Sequence, residues 1–212
     1  NGLAEAFLDI LNGANSRYEV SKIIKLLDSI ALRKKSRFSD ESVLTLKEWI
    51  VDGRIHWGAN KEQREELFEV EFDNFSWKQG LARLLLGLAI DADEESIELD
   101  ENGIVPITKA DSQENMFLLG NMCEFVKKLQ VFAEKASADK TIAEWEILLN
   151  ELLQDFFQLD SETVFDYKSM QDCINELCET IRKSEFSSEP MSYLLISAAL
   201  NSSLERAAPF SP

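Results

Sequence analysis

Three cysteines, Cys123, Cys173 and Cys178, and a single histidine, His56, are the residues of this chain best suited to nucleophilic, acid–base or metal chemistry. No cysteine has a histidine in sequence reach to take its proton, so the thiolate that attack requires has no neighbouring base. Cys173 and Cys178 fall within a helical pattern, and an odd number of cysteines without metal-type pairing reads as buried thiols in a reducing cytosol, with a disulfide as the alternative. One histidine cannot build a multi-histidine metal site, which leaves His56 only the part of a lone general base. Its setting, Arg54-Ile55-His56-Trp57-Gly58, reads first as a loop with a surface or half-buried imidazole.

Carboxylates are plentiful, 39 in all, so chance pairs are inevitable. Seven of them (Asp91, Asp93, Glu94, Glu95, Glu98, Asp100, Glu101) crowd one stretch that lacks both the Asp-x-Asp-x-Asp-Gly spacing and the terminal Glu of a calcium loop. A solvated acidic loop is the default reading there, and a hydrolase built on clustered carboxylates is the remote one. No Gly-x-x-x-x-Gly-Lys-Ser/Thr occurs, so no loop of amides and lysine is present to cradle nucleotide phosphates. Neither a cofactor nor a metal is expected.

Phosphate binding has one candidate. Arg33-Lys34-Lys35-Ser36-Arg37 concentrates four positive charges, and four phosphate contacts would give a salt slope of about −0.9 each on duplex DNA. The default is an exposed turn whose charges only solvate it; DNA contact through Arg33, Lys34, Lys35 and Arg37 is the alternative. Of the tryptophans, 49, 77 and 145 lie on apolar helical stripes, while Trp57 sits in a loop and could stack on a base. A net charge of −17 repels phosphate from the molecule as a whole. Residues 1–64 nevertheless carry 11 Lys/Arg against 9 Asp/Glu, whereas residues 65–212 carry 11 against 30.

The elements that must position these groups read as helices. Leu3, Phe7, Leu8 and Leu11 share a face that ends at Asn12-Gly13. Ser16 and Glu19 have capping-box spacing ahead of a Val20, Ile23, Ile24, Leu27 stripe. Asp40 is the expected cap of a helix with face Val43, Leu46, Trp49 and Ile50, closed by Gly53; Asn60 could cap a short charged helix. Ser76 opens an apolar helix to Ile90, with Trp77, Leu81, Leu84, Leu85 and Leu88 expected inside. Three long helices follow, marked by Met116, Leu119, Cys123, Val126 and Ala133; by the capping box Thr141/Glu144 with Trp145, Leu148, Leu149, Leu152 and Phe156; and by Phe165, Met170, Ile174, Leu177 and Ile181. Pro190 is placed in the first turn of the last helix, with Tyr193, Leu194, Ile196 and Leu200.

This pattern predicts an all-α array of eight to ten helices, with at most a short strand pair near 97–107. With 45% hydrophobic residues over 212 positions, a real core can form. No apolar run is long enough to cross a membrane. One domain over 1–212 is expected, or two parts, 1–90 and 108–212, joined by the acidic loop 91–107; both ends read as cut from a longer chain.

Several phrases, read in order, are similar to the RecC family, the gamma subunit of exodeoxyribonuclease V. They are Ser16-Arg17-Tyr18-Glu19 running into Ile24-Lys25-Leu26-Leu27-Asp28, Leu46-Lys47-Glu48-Trp49-Ile50, Ile55-His56-Trp57-Gly58, and Phe75-Ser76-Trp77-Lys78-Gln79-Gly80-Leu81-Ala82-Arg83-Leu84-Leu85-Leu86-Gly87. Thr141-Ile142-Ala143-Glu144-Trp145 and Asp155-Phe156-Phe157 follow, and the likeness covers about Ser16 to Phe157. Trp57, Trp77, Gly80, Leu81, Arg83 and Gly87 form its signature core, with the glycines permitting close helix approach and Arg83 set to pair with a carboxylate.

The resemblance implies the helical insertion in the second motor-like domain of a UvrD-type superfamily 1 helicase whose ATPase motifs have decayed. Its role would be non-catalytic and cytoplasmic: shaping a DNA channel and contacting the other subunits of an ATP-dependent helicase–nuclease in double-strand-break repair. Charge is the departure, since only residues 1–64 are not acidic. An acidic helical adaptor for a basic protein partner is therefore the second reading.

Overall fold

The structure is a computed structural model that describes residues 2–14, 19–55, 76–89, 113–185 and 187–207. Among them are nine helices and no strand: α1 Gly2–Gly13, α2 Val20–Asp28, α3 Ile30–Ser36, α4 Asp40–Asp52, α5 Trp77–Ala89, α6 Gln113–Ala136, α7 Ile142–Phe156, α8 Val164–Arg182 and α9 Tyr193–Ala207. The protein is all-α. The Ser16 capping residue, Asn60, the 91–107 loop and the strand pair near 97–107 lie outside the described residues.

Two compact units divide the chain. One comprises Asn1–Asn15, Ser29–Lys35 and Lys128–Pro212; the other comprises Ser16–Asp28 and Ser36–Lys127.

In the first unit α7 is the best-specified element. Thr141 caps it reciprocally: its hydroxyl accepts from the Glu144 amide at 3.4 Å and its own amide donates to Glu144 Oε2 at 2.8 Å. The Thr141 amide first, and then the Thr141 hydroxyl donating to Glu144 Oε2 at 2.8 Å, hold the Glu144 carboxyl below its usual range. Trp145, Leu148, Leu149, Leu152 and Phe156 are all buried, as their spacing predicts. The indole of Trp145 donates to the Met191 carbonyl at 2.9 Å, and that carbonyl also accepts from the Lys140 amide at 3.1 Å. Phe7 of α1 packs against Phe157 with ring centroids 6.2 Å apart.

In the second unit α4 buries Val43, Leu46, Trp49 and Ile50 as its spacing predicts. Its cap is Ser39 rather than Asp40: Ser39 Oγ accepts from the Ser42 amide at 3.0 Å, which leaves Asp40 in the first turn, where its charge faces the helix's positive end. Gly53 closes it, donating to the Trp49 carbonyl at 2.7 Å. Ser76 caps α5, accepting from the Gln79 amide at 3.1 Å.

Three apolar stripes differ from expectation. On α5, Trp77 and Leu84 are buried, Leu81 is half-buried and Leu85 is 47% exposed, because a helix carrying leucine on successive positions cannot turn them all inward. On α6 the buried row runs through Leu118, Leu119, Met122, Phe125, Val126, Leu129, Phe132 and Ala136, while Met116 is exposed and Cys123 and Ala133 are half-buried. On α8, Met170 and Ile174 are buried but Phe165 is 78% exposed, and Leu177 and Ile181 are half-buried. Pro190 precedes α9 by three residues, in the segment where Met191 pairs with Lys140, and Leu194 is exposed.

Candidate nucleic-acid interface

The basic run ends α3. The Ser29 carbonyl accepts from the Leu32 and Arg33 amides, both at 3.1 Å, to start the helix. Arg33, Lys34 and Lys35 occupy its last turn, where the unsatisfied carbonyls favour positive charge. Arg37 terminates it in the left-handed region at φ 58, and Phe38 turns inward, its ring centroid 5.9 Å from that of Phe125. Positive charge at a helix end is therefore part of why the segment folds this way, before any ligand is considered.

The four cations do not share one environment. Lys34 Nζ lies 2.8 Å from Asp160 Oδ2 and 2.6 Å from Glu162 Oε2. Asp160 is itself fixed: its Oδ1 accepts from the Glu162 amide at 2.9 Å and the Thr163 amide at 3.0 Å, while the Asp160 amide donates to Thr163 Oγ1 at 3.1 Å. The Lys34 ammonium beside it, aided by these donors and opposed by partial desolvation, pulls the Asp160 carboxyl down to about 2. The same contacts raise the Lys34 pKa, the Asp160 bond first. Lys34 is thus turned to two acids. Arg33 is half-buried, Lys35 and Arg37 are exposed, and Trp57 and His56 lie outside the described residues.

The signature helix α5 is explained by packing. Trp77, Gly80 and Leu84 are buried, and a Cβ at Gly80 would fall 2.1 Å from Ile55 Cγ1 and 2.5 Å from Cδ1, so only a hydrogen there lets Ile55 seat on the helix. Gly87 is half-buried. Partial burial, with repulsion from Arg54 as the second cause, lowers the Arg83 pKa. The sequence suggested only a carboxylate partner for Arg83; the nearness of a second guanidinium has no signal in residue spacing.

Two of the three thiols are held in a resting state. Burial raises the Cys123 thiol, and burial with the nearby Glu146 carboxylate raises Cys178 to about 11 against the pull of Arg182. At neutral pH both are protonated and poor nucleophiles. All three cysteines are free thiols. Glu146 is paired with Arg182, Glu151 with Lys135 at 2.7 Å, and Glu179 with Lys183 at 3.3 Å. Among the described residues no three His, Cys, Asp or Glu side chains converge as a metal site would need, and no helix is long and apolar enough to cross a membrane.

Residues 1–208 match the family model described as the fourth domain of RecBCD enzyme subunit RecC. The chain is similar to RecBCD enzyme subunit RecC of Buchnera aphidicola subsp. Acyrthosiphon pisum, 32% identical over 153 residues, which is 72% of this chain and 14% of that protein. It is similar to RecBCD enzyme subunit RecC of Haemophilus influenzae at 28% over 187 residues, 88% of this chain and 16% of that one. For RecBCD enzyme subunit RecC of Escherichia coli K12 the values are 26% over 159 residues, 75% and 14%. The chain spans 14–16% of the length of these curated relatives.

Proposed function

We propose, because this chain belongs to the RecC family, that it is a non-catalytic structural segment of a RecBCD-type helicase–nuclease, holding helices that shape a DNA path and meet partner subunits. In this reading it is the helical insertion of a motor-like domain, and ATP hydrolysis and strand cleavage take place on other subunits. The observation that carries the reading is the fourth-domain match along residues 1–208. The resting thiols and the acids already tied to Lys34, Lys135 and Arg182 support it, since a catalytic carboxylate or thiolate has to be available to a substrate. The test is magnesium-dependent nuclease and ATPase assay of the purified chain. No turnover is expected; DNA degradation that survives further purification sinks the reading.

DNA contact in this reading belongs to Arg33, Lys35 and Arg37, with Trp57 as a stacking residue, and Lys34 is left to its two acids. Single-strand binding measured by anisotropy at low salt tests it with Arg33→Gln, Lys35→Gln and Arg37→Asn combined. Asparagine is chosen at 37 because it tolerates the left-handed backbone there. A clear loss of affinity is expected, and an unchanged value removes the segment from the DNA path.

A further inference from the structure

Helices α8 and α9 pack on each other, and a groove of about 580 Å³ runs beside them. Asp172, Cys173, Glu176 and Leu177 of α8 line it together with Ser203 of α9. Phe165, Ser169, Asp172 and Glu176 recur at i, i+4, i+7 and i+11, which places them along one side of α8. Phe165 is 78% exposed at the start of that row, the most solvated aromatic among the described residues of the unit.

The two acids of the groove differ from the ion-paired acids of the same unit, and unlike the equally unpaired Asp139 and Asp155 they lie together on one helix face beside a groove. Glu146, Glu151, Asp160, Glu162 and Glu179 each have a cationic partner within the unit. Asp172 and Glu176 make no ion pair among the described residues, although each lies within a helical turn of the other. An apolar residue at one end, two unneutralised carboxylates on successive turns and a trough between paired helices together describe one side of a helix–helix contact.

We propose that this groove docks a basic amphipathic helix of a partner subunit, with Lys or Arg at i and i+4 set against Asp172 and Glu176 and an apolar side chain covering Phe165. Charge selects this occupant over the alternatives. DNA is repelled by the same carboxylates, and a second copy of the chain would bring residues 65–212, with 30 acids against 11 bases, to an acidic trough. The proposal takes from the functional reading above only the source of the helix. Nuclease activity in the purified chain would end that reading and leave the chemistry of the groove untouched.

The test titrates the 212-residue chain with a fluorescent leucine–lysine helix about 18 residues long, a length that sustains helicity, and with a proline-interrupted peptide of equal charge. Asp172→Asn with Glu176→Gln should weaken the helical probe about tenfold, whereas Asp139→Asn with Asp155→Asn, exposed acids off the groove, should change it less than about twofold. Phe165→Ala should weaken it several-fold with helicity unchanged by circular dichroism. Bound probe should slow alkylation of Cys173. Equal losses from the two double variants, equal binding of the interrupted peptide, or unchanged Cys173 alkylation would each overturn the proposal. Self-association that buries the groove would assign it to a second copy and overturn it as well.

Discussion

Lys34 Nζ stands 2.8 Å from Asp160 Oδ2, so a member of the one basic run is held by an acid from a distant part of the chain. This fixes a pH dependence. A carboxyl whose folded pKa is depressed stabilises the fold above its unfolded value of 3.8 and loses that stabilisation as pH falls towards about 2. Lys34, raised from 10.5, keeps its charge across that range and adds no slope there. The melting-temperature gap between the wild type and Asp160→Asn should be constant from pH 7 to 5 and close between pH 4 and 2. A gap that persists at pH 2 would show that the pair is not what separates them.

For the DNA contact proposed above, the same pair removes Lys34 from the phosphate count. Lys34→Gln should leave single-strand affinity and its salt dependence nearly unchanged, because that ammonium is already engaged. Removing Arg33, Lys35 and Arg37 should flatten the slope by up to about 0.7 for each phosphate no longer neutralised. A slope change from Lys34→Gln equal to that from Lys35→Gln would contradict the division.

Gly80→Ala tests the packing of the signature helix. Alanine is favoured over glycine inside a helix by about 1 kcal/mol, yet a Cβ 2.1 Å from the stiff Ile55 branch forces that buried residue to move. Net destabilisation of roughly 1–2 kcal/mol is expected by urea unfolding. The double variant with Ile55→Ala should cost less than the two single variants combined, and simple additivity would remove Ile55 as the obstacle.

Trp145→Phe removes the indole donor to the Met191 carbonyl. Because that carbonyl keeps the Lys140 amide, the acceptor is not orphaned, and the destabilisation should fall near 1 kcal/mol rather than about 3. Urea titration followed by circular dichroism reads it. A cost near zero would mean the bond merely replaces one to water.

Elements with strong local signals are legible in the sequence. The Thr141/Glu144 box forms with both bonds, and the α4 stripe of Val43, Leu46, Trp49 and Ile50 is buried throughout, because each depends on contacts within a few residues. Asp40 is one residue off the helix cap since serine and aspartate compete for the same amide, and only the backbone angle at 39 decides between them. On α6 a period of about 3.5 holds along the whole buried row, from Leu119 through Met122, Val126 and Leu129 to Ala136. What spacing alone leaves open is the width of the buried face, so Cys123 and Ala133 fall at its edge and are only half-buried. Phe165 and Lys34 show the remaining limit: exposure and long-range charge pairing depend on which of many distant residues arrives beside them. At the basic run the charge cluster is visible in the sequence, but the two acids that occupy Lys34 are not distinguishable there from the 37 others.

The alternation of the two units along the polypeptide has a practical result for dissecting the protein. A break at 127/128 releases a carboxy-terminal piece without α1 and α3, hence without Phe7 to cover Phe157 and without Lys34 to neutralise Asp160. That piece, 128–212, should expose an apolar seam and be rapidly digested, while adding 1–35 as a separate peptide should restore protease resistance by complementation.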